Sequence, residues 1–325
     1  MLKNTISICV PTFNRFEHLQ ETIENIVEIT KSQDLIEEIL VIDNNENNRA
    51  ENIIRKLSRK SEKIRYIKNE ENIGPENNFK KCIIESRGQY VWLIADDDFL
   101  FQDSIEKISD IIARNYDCIF LNWSLYSNDM KNIVLDKILD LNTDRELNKN
   151  IVLEHFSTKI SFISSFIFKK KLFIKKHFSL YEKFRKFQLS FLMLIYSIID
   201  NDDLKLAYQD DPIIKQRADN DFYLRDSAKN FYNVFSEGIH QFHEEIKLFN
   251  FSNSSINISL KKSFYFFIFK DLISRKINNK HFLFAYNSSM RNFGHIQSLK
   301  YLMHLIYFCP TLILVFLKKI KNYLK

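Results

Sequence analysis

Three consecutive carboxylates, Asp96-Asp97-Asp98, follow directly on the apolar run Tyr90-Val91-Trp92-Leu93-Ile94-Ala95. Negative charges packed so closely behind a buried strand repel one another, and a divalent cation joining them relieves the cost. Oxygen ligands of this kind suit Mg2+ or Mn2+, ions that also bridge a diphosphate and improve it as a leaving group. Three other polar clusters stand at comparable places. In Pro11-Thr12-Phe13-Asn14-Arg15, which closes the first apolar run, backbone N–H groups and Arg15 can meet a phosphate or a base. Asp43-Asn44-Asn45 offers short polar groups able to hydrogen-bond a ribose or a base edge. Asn72-Ile73-Gly74-Pro75-Glu76-Asn77-Asn78 contains a glycine that permits close backbone approach at a tight turn. Taken singly, each of these is an ordinary turn, helix start or solvated loop.

The elements between them give the clusters a common place. Ile6 to Val10, Glu38 to Ile42, Ile64 to Ile67, Tyr90 to Ala95 and Cys118 to Asn122 are strand candidates, separated by amphipathic stretches such as Glu17 to Ile29 and Asn77 to Ser86. Strands alternating with helices predict an α/β fold, a mostly parallel sheet with helices on both faces. Ligands of such sheets bind beyond the carboxyl ends of the strands, where all four clusters fall. Further along, Ser124 to about Asn150 is polar and irregular, as a loop over a site would be. Lys159 to Phe173 reads as extended and Phe184 to Ile199 as one helix. Lys205 to Arg217 reads as two short strands divided by Asp210-Asp211-Pro212. From Asp221 onward the pattern is helical and rich in Phe and Tyr. The expected organisation is a domain over 1–220, with a nucleotide-binding half 1–123 and an acceptor half 124–220, then a helical region 221–298 and a tail 299–325.

The composition, 45% apolar and 27% charged over 325 residues, is that of a folded protein. Four widely spaced cysteines suggest neither a zinc cage nor a disulfide framework and fit a reducing cytoplasm. The residues ahead of the first strand lack the pattern of an export signal, and export by that route is not expected. The net charge is +6, but the basic residues are dispersed through the chain and no nucleic-acid-binding module accompanies them, so no nucleic-acid partner is expected. A dehydrogenase is disfavoured, since no G-x-G-x-x-G follows the first strand. The polarised segment is the end: Lys300 to Lys325 has five lysines and no acidic residue around the apolar run Tyr301 to Leu317. At 17 residues with Pro310 inside, that run is marginal for a span and suits the headgroup region of an anionic inner leaflet. The expected location is therefore cytoplasmic, peripherally attached to the inner face of the cell membrane.

The motifs Ile6-Ser7-Ile8-Cys9-Val10-Pro11-Thr12-Phe13-Asn14-Arg15, Val41-Ile42-Asp43-Asn44, Asn72-Ile73-Gly74, and Gly88-Gln89-Tyr90-Val91-Trp92-Leu93 with Asp96-Asp97-Asp98 resemble the family 2 glycosyltransferases of the GT-A fold. The likeness continues more faintly through Phe162-Ile163-Ser164-Ser165 and the segment Asp211-Pro212 to Arg217, as in bacterial O-antigen and capsule enzymes. The resemblance implies transfer of a sugar from a nucleotide diphosphate sugar to a glycan or polyisoprenyl-diphosphate-linked acceptor, with inversion and with Mn2+ or Mg2+. Pro11, Thr12, Asn14 and Arg15 would border the nucleotide, Asp43 would hold its base, and Asn72 and Gly74 would line its pocket. Asp96 would sit nearer the ribose, Asp98 would bind the metal and diphosphate with Asp96 beside it, and Asp97 would serve either end.

The family's general base usually opens the helix after the extended segment, where this chain has Tyr181-Glu182-Lys183-Phe184-Arg185-Lys186-Phe187-Gln188-Leu189. Gln188 occupies the expected place, and an amide is no base. Glu182 is the substitute upstream, with Asp200, Asp202 and Asp203 behind it. Two other readings stay open: a non-catalytic partner in a polysaccharide assembly complex, and a sugar nucleotidyltransferase. A homo-oligomer is also compatible. His240 and His243, one turn apart, read as packing or surface residues more than as metal ligands, and Phe264-Tyr265-Phe266-Phe267 with Phe269 as core or interface.

Overall fold

The computed structural model describes residues 4–141, 146–173, 175–218, 228–263, 272–273, 276, 282–294, 296–309 and 311. They form two compact units. The first comprises residues 1–183 and 190–220, the second residues 184–189 and 221–325.

In the first unit, β1 (Ile6–Thr12) is buried along its whole length, as the near-continuous apolar run of an interior parallel strand requires. It pairs in parallel with β2 (Ile36–Asp43) on one side and β4 (Tyr90–Leu93) on the other, and β3 (Ile64–Lys68) extends the sheet beyond β2. The crossovers are α1 (Phe16–Thr30), α2 (Arg49–Leu57) and α3 (Pro75–Glu85). α1 packs with α2 and with α4 (Ser104–Ala113), and α3 packs against β1 and β2. Since the chain leaves β1 toward β2 but returns from β3 to β4 across it, the strand order reverses between β1 and β4. A crevice opens at such a reversal, past the carboxyl ends of both strands.

Beyond β4 the sheet becomes mixed. Its order is β3-β2-β1-β4-β9-β6-β10-β5, with β5 at Phe99–Leu100, β6 at Cys118–Tyr126, β9 at Phe166–Lys169 and β10 at Leu206–Arg217. β9 lies antiparallel between β4 and β6, whereas β6 and β10 run parallel. Several expectations are corrected here. Lys159 to Phe173 is extended only over β9, the residues before and after it being 3-10 turns. Lys205 to Arg217 holds one strand, in which the Asp210-Asp211-Pro212 step is a bulge between Gln209 and Ile214. The polar stretch after Ser124 contains the short strands β7 (Ile133–Leu135) and β8 (Glu146–Leu147), and it is followed by α5 (Lys149–His155).

The helix expected over Phe184 to Ile199 is two helices, α6 (Lys175–Arg185) and α7 (Ser190–Ile199). Gln188 has φ 56°, its N–H donates to Arg185 O, and the N–H of Leu189 reaches back to Phe184 O. Those paired bonds around a left-handed residue are a Schellman end, which terminates α6.

The second unit contains α8 (Ala228–Ile246), α9 (Asn253–Ser263), α10 (Phe282–Phe293) and α11 (Gln297–Phe308) around a core of Ile239, Leu272, Tyr286, Phe293, Leu299, Met303 and Ile306. His243 is buried there, its Nδ1 2.8 Å from Ile239 O and its Nε2 3.4 Å from Ser259 Oγ, so it packs and bonds within the helices. His240 stands edge-on to the ring of Phe293. The run Phe264 to Phe269 lies outside the described residues, as does most of Tyr301 to Leu317 beyond α11. Among the described residues no helix is long and apolar enough to cross a membrane.

Candidate active site

At the end of β4 the chain turns through Ala95, whose carbonyl accepts from Asp98 N at 3.2 Å, and presents its three carboxylates toward the reversal point. Thr12, the last residue of β1, donates its hydroxyl to Asp96 Oδ2 at 2.7 Å. Arg15, just before α1, donates from one Nη to Asp96 Oδ1 at 3.3 Å and to Asp97 Oδ2 at 2.8 Å. Asp98 is held from a different quarter. Ser164, in the 3-10 turn before β9, donates to Asp98 Oδ2 at 2.6 Å while its oxygen accepts from Ala95 N at 3.0 Å, and its carbonyl accepts the Trp92 indole N–H at 2.9 Å. Arg217, ending β10, donates to the Asp97 carbonyl at 3.2 Å, to Asn128 O at 2.5 Å and to Glu21 on α1 at 2.7 Å. The acidic turn is thus tied to β1, α1, the β9 approach and β10.

The charge within this turn is not balanced. Burial above all, and next the neighbouring charge of Asp97, push the carboxyls of Asp96 and Asp98 above the ordinary range. Arg15 and Thr12 pull Asp96 the other way, as Ser164 does Asp98. One guanidinium bridging two of three carboxylates leaves an excess of buried negative charge on hard oxygens, the donor type and polarity that fit Mg2+ or Mn2+. The cation foreseen from the repulsion is therefore supplied in part by the protein itself, as Arg15. Among the described residues no three or more Asp, Glu, His or Cys side chains form a cage, so a cation here needs oxygens from a ligand or water as well.

The other motifs converge through asparagines. Asp43, fully buried, accepts from the Tyr66 hydroxyl at 2.6 Å and from Asn45 N at 2.9 Å, as well as from the Asn45 amide. Asn45 Oδ1 accepts from the backbone of Asn14, which is left-handed at φ 56°. Asn44 donates to Asn72 Oδ1 at 2.6 Å and accepts from Ile73 N and from the Asn69 amide, each at 3.0 Å. Gly74, at φ 80° and ψ 161°, takes a conformation open in practice to glycine alone, and Pro75 then starts α3 with φ already set. Pro11 is buried in β1 opposite Ile42. Thr12, Asn14, Arg15, Asp43, Asn72, Gly74, Asp96, Asp97 and Asp98 thereby line neighbouring strand ends in one hydrogen-bonded rim.

Glu182 lies on α6 in an ion pair with Lys80 of α3 at 3.1 Å. Gln188 is the left-handed residue that closes the end of α6 described above. Asp200 and Asp202 serve Lys149, which donates to Asp200 O at 3.2 Å and pairs with Asp202 at 2.6 Å. Tyr66, Asn69 and His18 were not foreseen. His18 sits near Arg217 and Asp97, and burial first, then the Arg217 charge, holds its pKa below the usual value. A histidine one turn into α1 has no spacing signal that separates it from a surface residue.

The profile of glycosyl transferase family 2 matches residues 7–173, just over half of the chain. Abequosyltransferase RfbV of Salmonella typhimurium is 28% identical over 271 residues, covering 80% of this chain and 78% of its own. An uncharacterized glycosyltransferase of Methanocaldococcus jannaschii is 29% identical over 179 residues, 54% of this chain and 61% of its own length. The GalNAc(5)-diNAcBac-PP-undecaprenol beta-1,3-glucosyltransferase of Campylobacter jejuni is 27% identical over 54% of each chain. Among solved structures, S. aureus TarS residues 1–349 superposes with a TM-score of 0.61 at 15% identity over 93% of this chain and 87% of that one. A Pyrobaculum calidifontis mannosyltransferase in complex with GDP-Man and Mn2+ gives 0.52 at 10% identity over 90% and 75%.

Proposed function

The chain belongs to glycosyl transferase family 2, and from that premise we propose that it moves a sugar from a nucleotide diphosphate sugar to a glycan or lipid-linked acceptor during synthesis of a bacterial surface polysaccharide. The observation that carries this reading is the Thr12–Asp96–Arg15–Asp97 cluster at the strand-order reversal, with buried carboxylate charge left over for a cation. A donor of this class is supported by the likeness in fold to TarS, also solved in complex with UDP-GlcNAc, and to the mannosyltransferase holding GDP-Man and Mn2+. A lipid-linked acceptor is supported by the name of the Campylobacter relative.

In this reading Pro11, Thr12, Asn14 and Arg15 border the nucleotide, Asp43 faces its base, and Asn72 and Gly74 line the pocket. Asp98, with Asp96 beside it, would hold Mn2+ or Mg2+, which would supply positive charge to offset that of a diphosphate leaving group. Arg15 keeps Asp96 and Asp97 in place. Inversion by a single displacement needs a base for the acceptor hydroxyl proton. We assign that role to Glu182, the accessible carboxylate of α6, and Glu182→Gln is expected to depress kcat far more than donor binding. The residues 299–325 attach the enzyme peripherally to the inner face of the cell membrane, where a lipid-linked acceptor resides.

Calorimetric titration with UDP, GDP, CDP and dTDP, with and without Mn2+, tests the donor site, using Asp98→Ala as the control. One nucleotide binding tightly, and needing both Mn2+ and Asp98, is the expected result. Folded protein that binds none of the four in a metal-dependent way would remove the assignment.

A further inference from the structure

Helix α11 is apolar on two faces. Leu299, Met303 and Ile306, spaced four and three apart, enter the core of the second unit. Tyr301, Leu305 and Phe308 repeat that spacing two positions on, and they are 66%, 67% and 75% exposed. They form an uninterrupted apolar stripe roughly 10 Å long on the outer side of the helix. Tyr307 lies beside the stripe and is also exposed, as is Lys300. The helix end is fixed from behind, because the Lys276 ammonium donates to the carbonyls of Ile306, at 2.6 Å, and Tyr307. A cation at that place satisfies the last carbonyls and complements the helix dipole, so the stripe is presented on a capped helix.

Charge identifies the occupant. Residues 272–325 contain nine of the 47 Lys and Arg and none of the 41 Asp and Glu, so the excess of positive over negative charge arises in this stretch and the remainder is slightly acidic. The sequence after α11 continues with Leu312-Ile313-Leu314-Val315-Phe316-Leu317 and Lys318, Lys319 and Lys321. An apolar helix face within a basic, acid-free stretch is complementary to an anionic lipid surface, with aromatic rings entering the headgroup boundary and cations meeting lipid phosphates. We propose that the Tyr301–Leu305–Phe308 face of α11 is a docking surface for an anionic bilayer, on which the helix lies in the plane of the interface. The proposal deepens the membrane attachment inferred above by making this face, and not the following apolar run alone, the contact.

The test is flotation of the full-length protein with vesicles of phosphatidylcholine carrying about one third phosphatidylglycerol, and with vesicles of phosphatidylcholine alone. Wild type is expected to float with the anionic vesicles and to stay behind with the neutral ones. The variant Tyr301→Ser/Leu305→Ser/Phe308→Ser, with the tail intact and its fold checked by circular dichroism, is expected to bind about tenfold more weakly or less. Replacing Lys318, Lys319, Lys321 and Lys325 with Gln is expected to reduce the preference for anionic vesicles while leaving folding intact. Equal binding by the triple variant and wild type overturns the proposal, as does failure of wild type to bind anionic vesicles. So does a wild-type dimer that the triple variant converts to monomer, which would make a second copy the occupant. Nucleotide titration of the same proteins separates the two readings: metal-dependent nucleotide binding lost in wild type would defeat the transfer function while vesicle flotation still decides this one.

Discussion

Arg15 bridges Asp96 and Asp97 with a single charge, which leaves Asp98 in the care of a neutral hydroxyl from Ser164. The serine also receives Ala95 N, so its oxygen fixes both the carboxylate and the turn that presents it. Ser164→Ala removes a hydrogen bond to a charged group and is expected to weaken Mn2+-dependent nucleotide binding by about tenfold, with Ser164→Thr recovering part of the loss. Unaltered binding in a titration of Ser164→Ala would mean that the turn alone positions Asp98. Gln188 makes a second case at this scale. A left-handed, non-glycine residue at a helix end carries a strain of about 1 kcal/mol, so Gln188→Gly is expected to raise stability by about that amount in urea titration. If instead it lowered turnover and left stability unchanged, the amide would return to consideration as part of the site. The carboxylate triplet was readable in the sequence because repulsion between neighbours is a local property. Ser164, which answers Asp98 from 66 residues away, and Tyr66, which answers Asp43, belong to pairings made only by the folded sheet.

The parallel half of the sheet was legible at the level of elements, since β1, β2, β3 and β4 are apolar runs separated by amphipathic helices. What was lost lies where local pattern and tertiary pairing part company. β9 has only four residues, and nothing in Phe166-Ile167-Phe168-Lys169 announces that it enters antiparallel between β4 and β6. The apolar spacing from Phe184 to Ile199 suits one helix, but the Schellman end at Gln188 depends on a backbone conformation that composition does not reveal. Among the helices, His243 offers a measurable consequence of burial. Removal from water lowers its pKa to about 4, so the folded protein keeps the ring neutral where the unfolded chain, with its ordinary value of 6.5, takes up a proton. Its contribution is present above pH 6.5 and is lost as the pH falls toward 4, by about 3 kcal/mol at most. Thermal melts of wild type and His243→Gln between those limits should show a flatter pH dependence for the variant. Parallel curves would assign the acid sensitivity to other groups.

At the scale of the whole molecule, the chain passes from the first unit into the second at Phe184, returns at Ser190, and leaves again at Asp221. Within the second unit Gly238 meets that early segment so closely that an added Cβ would stand 2.8 Å from Phe187 Cβ and 2.9 Å from Leu189 Cδ1. Gly238→Ala is therefore expected to lower the melting temperature by several degrees, corresponding to about 1–3 kcal/mol of overpacking. A melt superimposable on that of wild type would show that the contact yields without cost. The match to family 2 stops at residue 173, ahead of all these residues.

During synthesis the early segment acquires a history of its own. Phe187 and Leu189 are buried in the finished protein, yet they are made on the order of fifty residues before the glycine they close upon. At ribosomal speeds that is an interval of roughly three to ten seconds in which an apolar stretch waits uncovered while β10 is still being made. A nascent chain stalled just before residue 238 should accordingly be a better client for a ribosome-bound holdase than one stalled before residue 184.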